Sequence, residues 1–295
     1  MLRKQTIRIR PLDAVLLVML AGACVYIGYR ITLEMHYKWN WGVIPQYLFR
    51  YDAEGKRWVP NLIVQGFLTT IRLSLWSTLF AILLGTVAGI FRLSKSLFKR
   101  MLGRTYVELI RNTPPLVLIF IFYFFLGDQI MTFLRVDELV RGSSASTQQI
   151  LTILCAPPSQ VSVFLSAVLT LALYEGAYMT EIIRAGIQSI EKEQWEASYA
   201  LGLSWWQQMR YVVLPQAIQR ILPALAGQFI SAIKDSAIVS AISIQELTFQ
   251  GLELMATTYL TFEVWITIGL LYFLFTGSCS LVVRRLEISL QRRMS

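Results

Sequence analysis

Five ionisable residues lie within long apolar segments of the sequence: Arg72, Glu175, Lys234, Asp235 and Glu263. An ionised side chain at bilayer depth costs roughly 2.5–3.5 kcal/mol on insertion scales, so it is retained where it meets another helix, a polar solute or a water-filled cavity. Lys234 and Asp235 are adjacent and point about 100° apart on a helix, which prevents a simple pair on one face. Glu175 with Arg72 or Lys234 would place an acceptor and a donor across a central cavity, with Tyr178, one turn from Glu175, as an aromatic candidate for the same wall. The competing reading of these charges is interhelical pairing, and of Tyr178 simple packing. Arg111 and Arg184 sit near segment ends and read as snorkelling anchors.

A second group of residues forms a motif in a loop: "EKEQWEASYALGLSWWQQMRYVVLPQAIQRILPAL". Glu193 and Glu196 stand near the start of a short helix, where acidic groups complement the positive end of its dipole. Ala197, Ala200 and Leu201 share one side of it. Gly202 suits the left-handed residue that stops a helix, and Ser204 can cap the next one. Pro215 is expected to break that second helix before the following apolar segment begins. The product is a helix–turn–helix hairpin whose small residues let a partner's surface come close.

The elements that must position these residues are apolar helices. Hydrophobic residues make up 55% of the 295 and charged residues 15%, against about a quarter charged in ordinary globular domains. Spans are expected at roughly 13–29, 62–91, 113–134, 161–183, 216–242 and 261–283. The chain is an all-α polytopic membrane protein with about six transmembrane helices, five core plus one N-terminal. Three regions follow: 1–60, the N-terminal helix and its outer connection; 61–285, the main transmembrane domain; and 286–295, a basic tail. Residues 61–92 are too long for one upright span, and the surplus must tilt or lie along the interface. Trp39, Trp41 and Trp58 mark a membrane–water interface. "RGSSASTQQI" followed by "APPSQ" reads as the most flexible linker. Cys24, Cys155 and Cys279 are scattered, without metal-ligand spacing, and read as packing residues.

The net charge of +9 is a topology signal. Arg3, Lys4, Arg8 and Arg10 precede the first span, and Arg92, Lys95, Lys99, Arg100 and Arg104 fill the second-to-third loop. Arg284, Arg285, Arg292 and Arg293 follow the last span. These fall on one side of a six-span chain, while the outer connections carry fewer basic residues, so both termini are expected in the cytoplasm. A cleaved first segment would leave five spans with the same C-terminal orientation. No nucleic-acid partner is implied. There is no GxxxxGK[ST] phosphate loop, no HExxH and no GxSxG, and His36 is the one histidine. A chain of this kind does not hydrolyse ATP by itself and shows no catalytic constellation and no metal site.

The loop resembles the cytoplasmic motif of ATP-binding-cassette importer permeases: E-A-A, three residues, G, nine residues, then I-x-L-P. Glu196, Ala197, Gly202, Leu214 and Pro215 match, while Ser198 replaces the second alanine and Val212 the isoleucine. "GFLTTIRLSLWSTLFAILLGTVAGIFRLS", "YVELIRNTPPLVLIFIFYFFLG", "AYMTEIIRAGIQSI" and "KDSAIVSAI" resemble the polar amino-acid permeases of that group, the histidine/glutamine/glutamate/arginine type, over roughly residues 61 to 290. The resemblance implies a type I importer fold in a bacterial inner membrane. It implies a second permease subunit, identical or a sister chain, two cytoplasmic ATPase subunits that use ATP and Mg, and a periplasmic or lipoprotein binding protein that delivers substrate. No cofactor is expected on this chain itself. It assigns Glu196, Ala197, Ser198, Ala200, Leu201, Gly202, Leu214 and Pro215 to coupling with the ATPase. An amino acid is a zwitterion, and Arg72, Glu175, Tyr178, Lys234 and Asp235 are the candidates for its recognition.

Three rivals differ from this reading. A secondary transporter or channel would show inverted repeats and paired broken helices, and neither is seen. A membrane-embedded enzyme would want a cluster of His, Asp or Cys at a span end. A permease of the same class could carry another small polar solute, such as an opine or organic acid.

Overall fold

The computed structural model describes residues 11–34 and 37–294. The side chains of Cys24 and of the last basic residues, and all of His36 and of Arg3 to Arg10, lie outside that description. The chain divides into two compact units, Met1–Gly42 and Val43–Ser295. The first contains α1 (Pro11–Glu34), an apolar helix with exposed leucines and valines, followed by Trp39 and Trp41 stacked at 5.9 Å.

The second unit opens with α2 (Ile44–Leu48) and an antiparallel hairpin of β1 (Phe49–Asp52) and β2 (Arg57–Pro60), in which Tyr51 pairs with Trp58. Then follow α3 (Leu62–Leu93), α4 (Leu97–Arg111) and α5 (Pro115–Ile121); a π-helical stretch, Phe122–Gly127, joins α5 to α6 (Asp128–Phe133). Next come α7 (Val136–Arg141), α8 (Ala145–Leu154) and α9 (Val161–Gln188). The motif loop holds α10 (Lys192–Ala200) and α11 (Trp205–Gln207), and a second π-helical stretch, Gln208–Val213, leads into α12 (Leu214–Asp235). A 3-10 turn, Ser236–Ile242, extends α12, and α13 (Leu247–Thr258) and α14 (Thr261–Met294) complete the chain. Six of these segments are long and apolar enough to cross a membrane, close to the six expected.

The core of this unit is the parallel pair α3 and α9, packed along most of their lengths. Glycine makes the approach possible. A Cβ on Gly85 would lie 3.0 Å from the Thr180 nitrogen and 2.8 Å from Met179 Cβ, and one on Gly89 would lie 3.3 Å from Ile183. Small residues let membrane helices gain van der Waals contact that larger side chains would deny. Leu73, Ile119, Phe164, Val168 and Leu171 fill the layer nearer the N-terminal ends of the two helices. Residues 62–93 form one unbroken helix, so the surplus length does not peel off as a separate interfacial segment. At 1.5 Å per residue it is about 48 Å long, well beyond a hydrocarbon core of about 30 Å.

Two sequence expectations are corrected. The segment expected as a flexible linker contains α8: Ser144 accepts from the Thr147 nitrogen at its start, and the Gln148 amide donates to the carbonyls of Val140 and Ser143. Local capping gives those backbone groups partners that a polar composition conceals. Pro215 does not break the helix that follows the motif. The chain stays helical from Trp205 through Asp235, and the π-helical stretch just before Pro215 absorbs its missing N–H and ring volume with wider i→i+5 bonding.

Candidate functional site

Helix α10 presents one face and buries the other. Trp195 packs against the cluster of Ile183, Ile187, Ile190, Met209 and Val213, which ties α10 to the C-terminal end of α9 and the root of α12. Ser198 also turns inward, 2% exposed, its hydroxyl donating to the Trp195 carbonyl at 2.8 Å. It therefore supports the helix rather than lining its outer face, unlike the expectation that grouped it with the contact residues. Glu196, Ala197, Ala200 and Leu201 face outward, and Glu196 pairs with Lys192 at 3.0 Å. Leu201 is 80% exposed and Tyr199 76%, an apolar display on an otherwise polar loop.

The turn after α10 is sharply specified. Gly202 has φ of +76°, a conformation that L side chains rarely adopt. Ser204 and Gln207 then form a reciprocal capping box, with the Ser204 nitrogen donating to Gln207 Oε1 at 2.8 Å. The Gln208 amide donates to the Leu203 carbonyl at 2.9 Å and is buried. Leu214 packs on the same cluster as Trp195, while Pro215 is exposed. Arg220 on α12 donates to the Ser189 carbonyl, fastening the hairpin to the end of α9.

About midway along α9 lies a polar centre. Glu175 is fully buried; Gln228 of α12 donates to its Oε2 at 2.8 Å, and Oε1 has no hydrogen-bond partner among the described residues. Asp235, near the end of the same α12, is close enough to interact with Glu175. Two carboxyl groups and one amide donor make a centre rich in acceptors, which a cationic group would complete. Tyr174 and Tyr178 are in edge contact beside it, their hydroxyls 3.4 Å apart, and Arg111 lies over the Tyr178 ring. Lys234 is exposed and, as the neighbour of Asp235 on α12, points about 100° round the helix from it.

The pairing of Glu175 with Arg72 is corrected. Because α3 and α9 run parallel with Gly85 against Thr180, Arg72 sits about two helical turns, roughly 12 Å, nearer the start of α9 than Glu175 does. Its Nη1 donates to the Cys155 carbonyl at 3.3 Å. Glu263 is buried on α14. The anchoring reading of Arg184 is also replaced: Glu181 binds both Arg92 of α3 and Arg184, forming a charged clasp across the two core helices.

Sequence reasoning missed Gln228, which looks like one more polar residue in an apolar run, and Glu246, which reads as a loop residue. Glu246 caps α13 through the Phe249 nitrogen at 2.8 Å and accepts from Thr70 and Tyr272 at 3.2 and 2.9 Å. Burial pushes its carboxyl upward from the ordinary range, opposed by hydrogen bonds from Thr248, Phe249, Tyr272 and Thr70. It joins α3, α13 and α14. No capping signature announced it, because the usual N-cap residues are Ser, Thr, Asp and Asn.

Over residues 81–295 the chain matches the family described as binding-protein-dependent transport system inner membrane component. It is 33% identical over 228 residues to the glutamine transport system permease protein of Escherichia coli (strain K12), covering 77% of this chain and 91% of that protein. It is 31% identical over 253 residues to the glutamate/aspartate import permease protein of the same strain, covering 86% and 95%. Among solved structures, a crystal structure of an amino acid ABC transporter with histidines matches with a TM-score of 0.62 and 33% identity, covering 77% of this chain and 94% of that one. An inward-facing structure of the MetNI methionine ABC transporter matches in fold, with a TM-score of 0.54 and 18% identity, over 76% of this chain and 96% of that one. These relatives do not favour the alternative of another small polar cargo.

Proposed function

This chain belongs to the binding-protein-dependent transport system inner membrane component family, and from that premise we propose how it moves its cargo and what the cargo is. It is a multi-pass inner-membrane protein and the permease subunit of an ATP-driven importer, with a type I importer fold and no enzymatic role of its own. The cargo in this reading is a polar amino acid, as the names of its relatives suggest. Residues 61–285 form the transporting domain, both termini face the cytoplasm, and a second permease subunit, identical or a sister chain, completes the pathway. The basic loops support that orientation. ATP and Mg are used by the ATPase subunits, and a periplasmic protein delivers the cargo.

One observation carries the mechanism: the helix that ends beside Glu175 begins in the loop that would meet the ATPase. Glu196, Ala197, Ala200 and Leu201 present the docking face, Ser198 and Trp195 root it, and Gly202 with the capping box fixes its angle to α12. Movement of α10 as the ATPases close is passed through the continuous helix to Gln228 and Asp235. There the acceptor-rich centre takes the cargo's ammonium, and closing or opening the Gln228–Glu175 contact alternates access to it. Lys234, exposed beside Asp235, would supply the donor for the carboxylate, with Tyr178 lining the pathway.

Uptake into proteoliposomes holding the permease, its ATPase and its binding protein tests the reading. Expected is ATP-dependent accumulation of at least one amino acid from a panel of glutamine, glutamate, aspartate, histidine and arginine. Accumulation without ATP or ATPase, or ATP-driven uptake of none of the panel, would overturn it.

A further inference from the structure

We propose that the chain holds a second, outer cargo site around Arg72, which reads the carboxylate and ammonium of an amino acid rather than its side chain. This inference rests on the amino-acid reading above. A cavity of about 560 Å³ opens between the first third of α3, the connection from α8 to α9, and the segment from Ser243 into α13. Sites that accept small molecules run to roughly 300–1,000 Å³.

Two polar groups in its wall are underused. The guanidinium of Arg72 makes one hydrogen bond among the described residues, to the Cys155 carbonyl, although it carries five donors. Gln250 is 3% exposed, and its carboxamide oxygen has no hydrogen-bond partner among the described residues. Beside them Gln160 donates to Gln245 Oε1 at 3.4 Å, a long bond that a better donor can replace. No acidic side chain lines the cavity among the described residues, so nothing there neutralises Arg72.

A carboxylate on Arg72 supplies the missing counter-charge in bidentate form. An ammonium on the oxygens of Gln250 and Gln245 fills the orphan acceptor. The rest of the wall includes Leu68, Val163 and Phe164, which give a side chain room without specific hydrogen bonds. The site therefore accepts several amino acids, and it differs in sign from the centre at Glu175. The outer site is built on a cation and the inner on carboxyl groups, so a zwitterion passes from a grip on one end to a grip on the other.

The test uses the full-length chain in lipid nanodiscs and radiolabelled L-glutamine, with histidine and arginine as parallel probes. Arg72→Gln is expected to weaken binding of all three by about tenfold or more, and Arg72→Lys by less. In a Glu175→Gln background, which weakens the inner grip on the ammonium, 4-aminobutanamide, which is glutamine without its carboxylate, is expected to compete poorly with or without Arg72→Gln. Size-exclusion profiles identify any misfolded variant, and Gln250→Ala provides a second, uncharged lesion with an expected loss of severalfold. In the Glu175→Gln background, undiminished affinity in both Arg72→Gln and Gln250→Ala, or tight competition by 4-aminobutanamide, would overturn the outer site alone. Failure of the wild type both to bind these amino acids and to accumulate any of the panel would overturn the cargo reading and this site with it.

Discussion

Helices α9 and α14 are both long enough to cross a bilayer, yet 67% of the most apolar stretch of α9 is buried and only 6% of that of α14. The buried helix is the more polar one. Its buried face includes Ser166, Thr170, Glu175, Gly176 and Thr180 among apolar residues, whereas α14 shows Phe273, Leu274, Leu281 and Val282 outward. In water the ranking would be reversed. Lipid offers apolar side chains as good a home as a protein interior does, so burial follows close backbone approach and hydrogen bonding. The pair thereby separates the working helix of this permease from one that borders its surroundings.

That contrast can be broken most severely at the α3–α9 seam. Gly85→Leu would drive a side chain into the backbone at Thr180, and we expect loss of about 2–3 kcal/mol of packing and most of the membrane-inserted, folded protein. Thermal unfolding in detergent checks it; an unchanged midpoint would mean that the seam is loose. Next in size is Glu175→Gln, which removes the ionisable carboxyl from the centre of α9 while keeping its shape. Uptake should fall about tenfold or more, since a charge-assisted contact is worth about 1.5–3 kcal/mol, with normal protein yield. Uptake kinetics read it directly.

Gly202→Val acts at the loop rooted on the end of α9. The left-handed conformation costs a β-branched residue roughly 1–3 kcal/mol, so we expect a several-fold loss of ATP-driven uptake from protein that still reaches the membrane. Normal uptake would count against the coupling role of α10. The smallest effect belongs to α14. Phe273→Ala should shift stability by no more than about 0.5 kcal/mol if that face meets lipid. A larger loss, accompanied by a smaller complex in size-exclusion chromatography, would instead locate the second permease subunit on this face.

Much of this arrangement is legible in the residues, because hydropathy sets the spans and the motif loop is punctuated by glycine, serine and proline. Gly202 and Ser204 occupy the conformations that their types predict. What escaped were relations between distant segments. Arg72 and Glu175 are both polar residues in apolar helices, and nothing in their spacing reveals that parallel packing sets them two turns apart. Glu181 lay within a recognised motif, yet its partner Arg92 is on another helix. Pro215 carried a local rule that a π-helical turn overrode, since tertiary packing at Met209 and Val213 holds that turn in place.

That turn also sets an azimuth. A stretch bonded i→i+5 holds one residue more than the same length of α-helix, which rotates everything beyond it by about 100° relative to the residues before it. The motif loop and the Gln228 side chain thus point where they do because of a single inserted position between Gln208 and Val213. The permease is phased like a keyed shaft: removing one residue there would leave both ends intact and turn Gln228 away from Glu175.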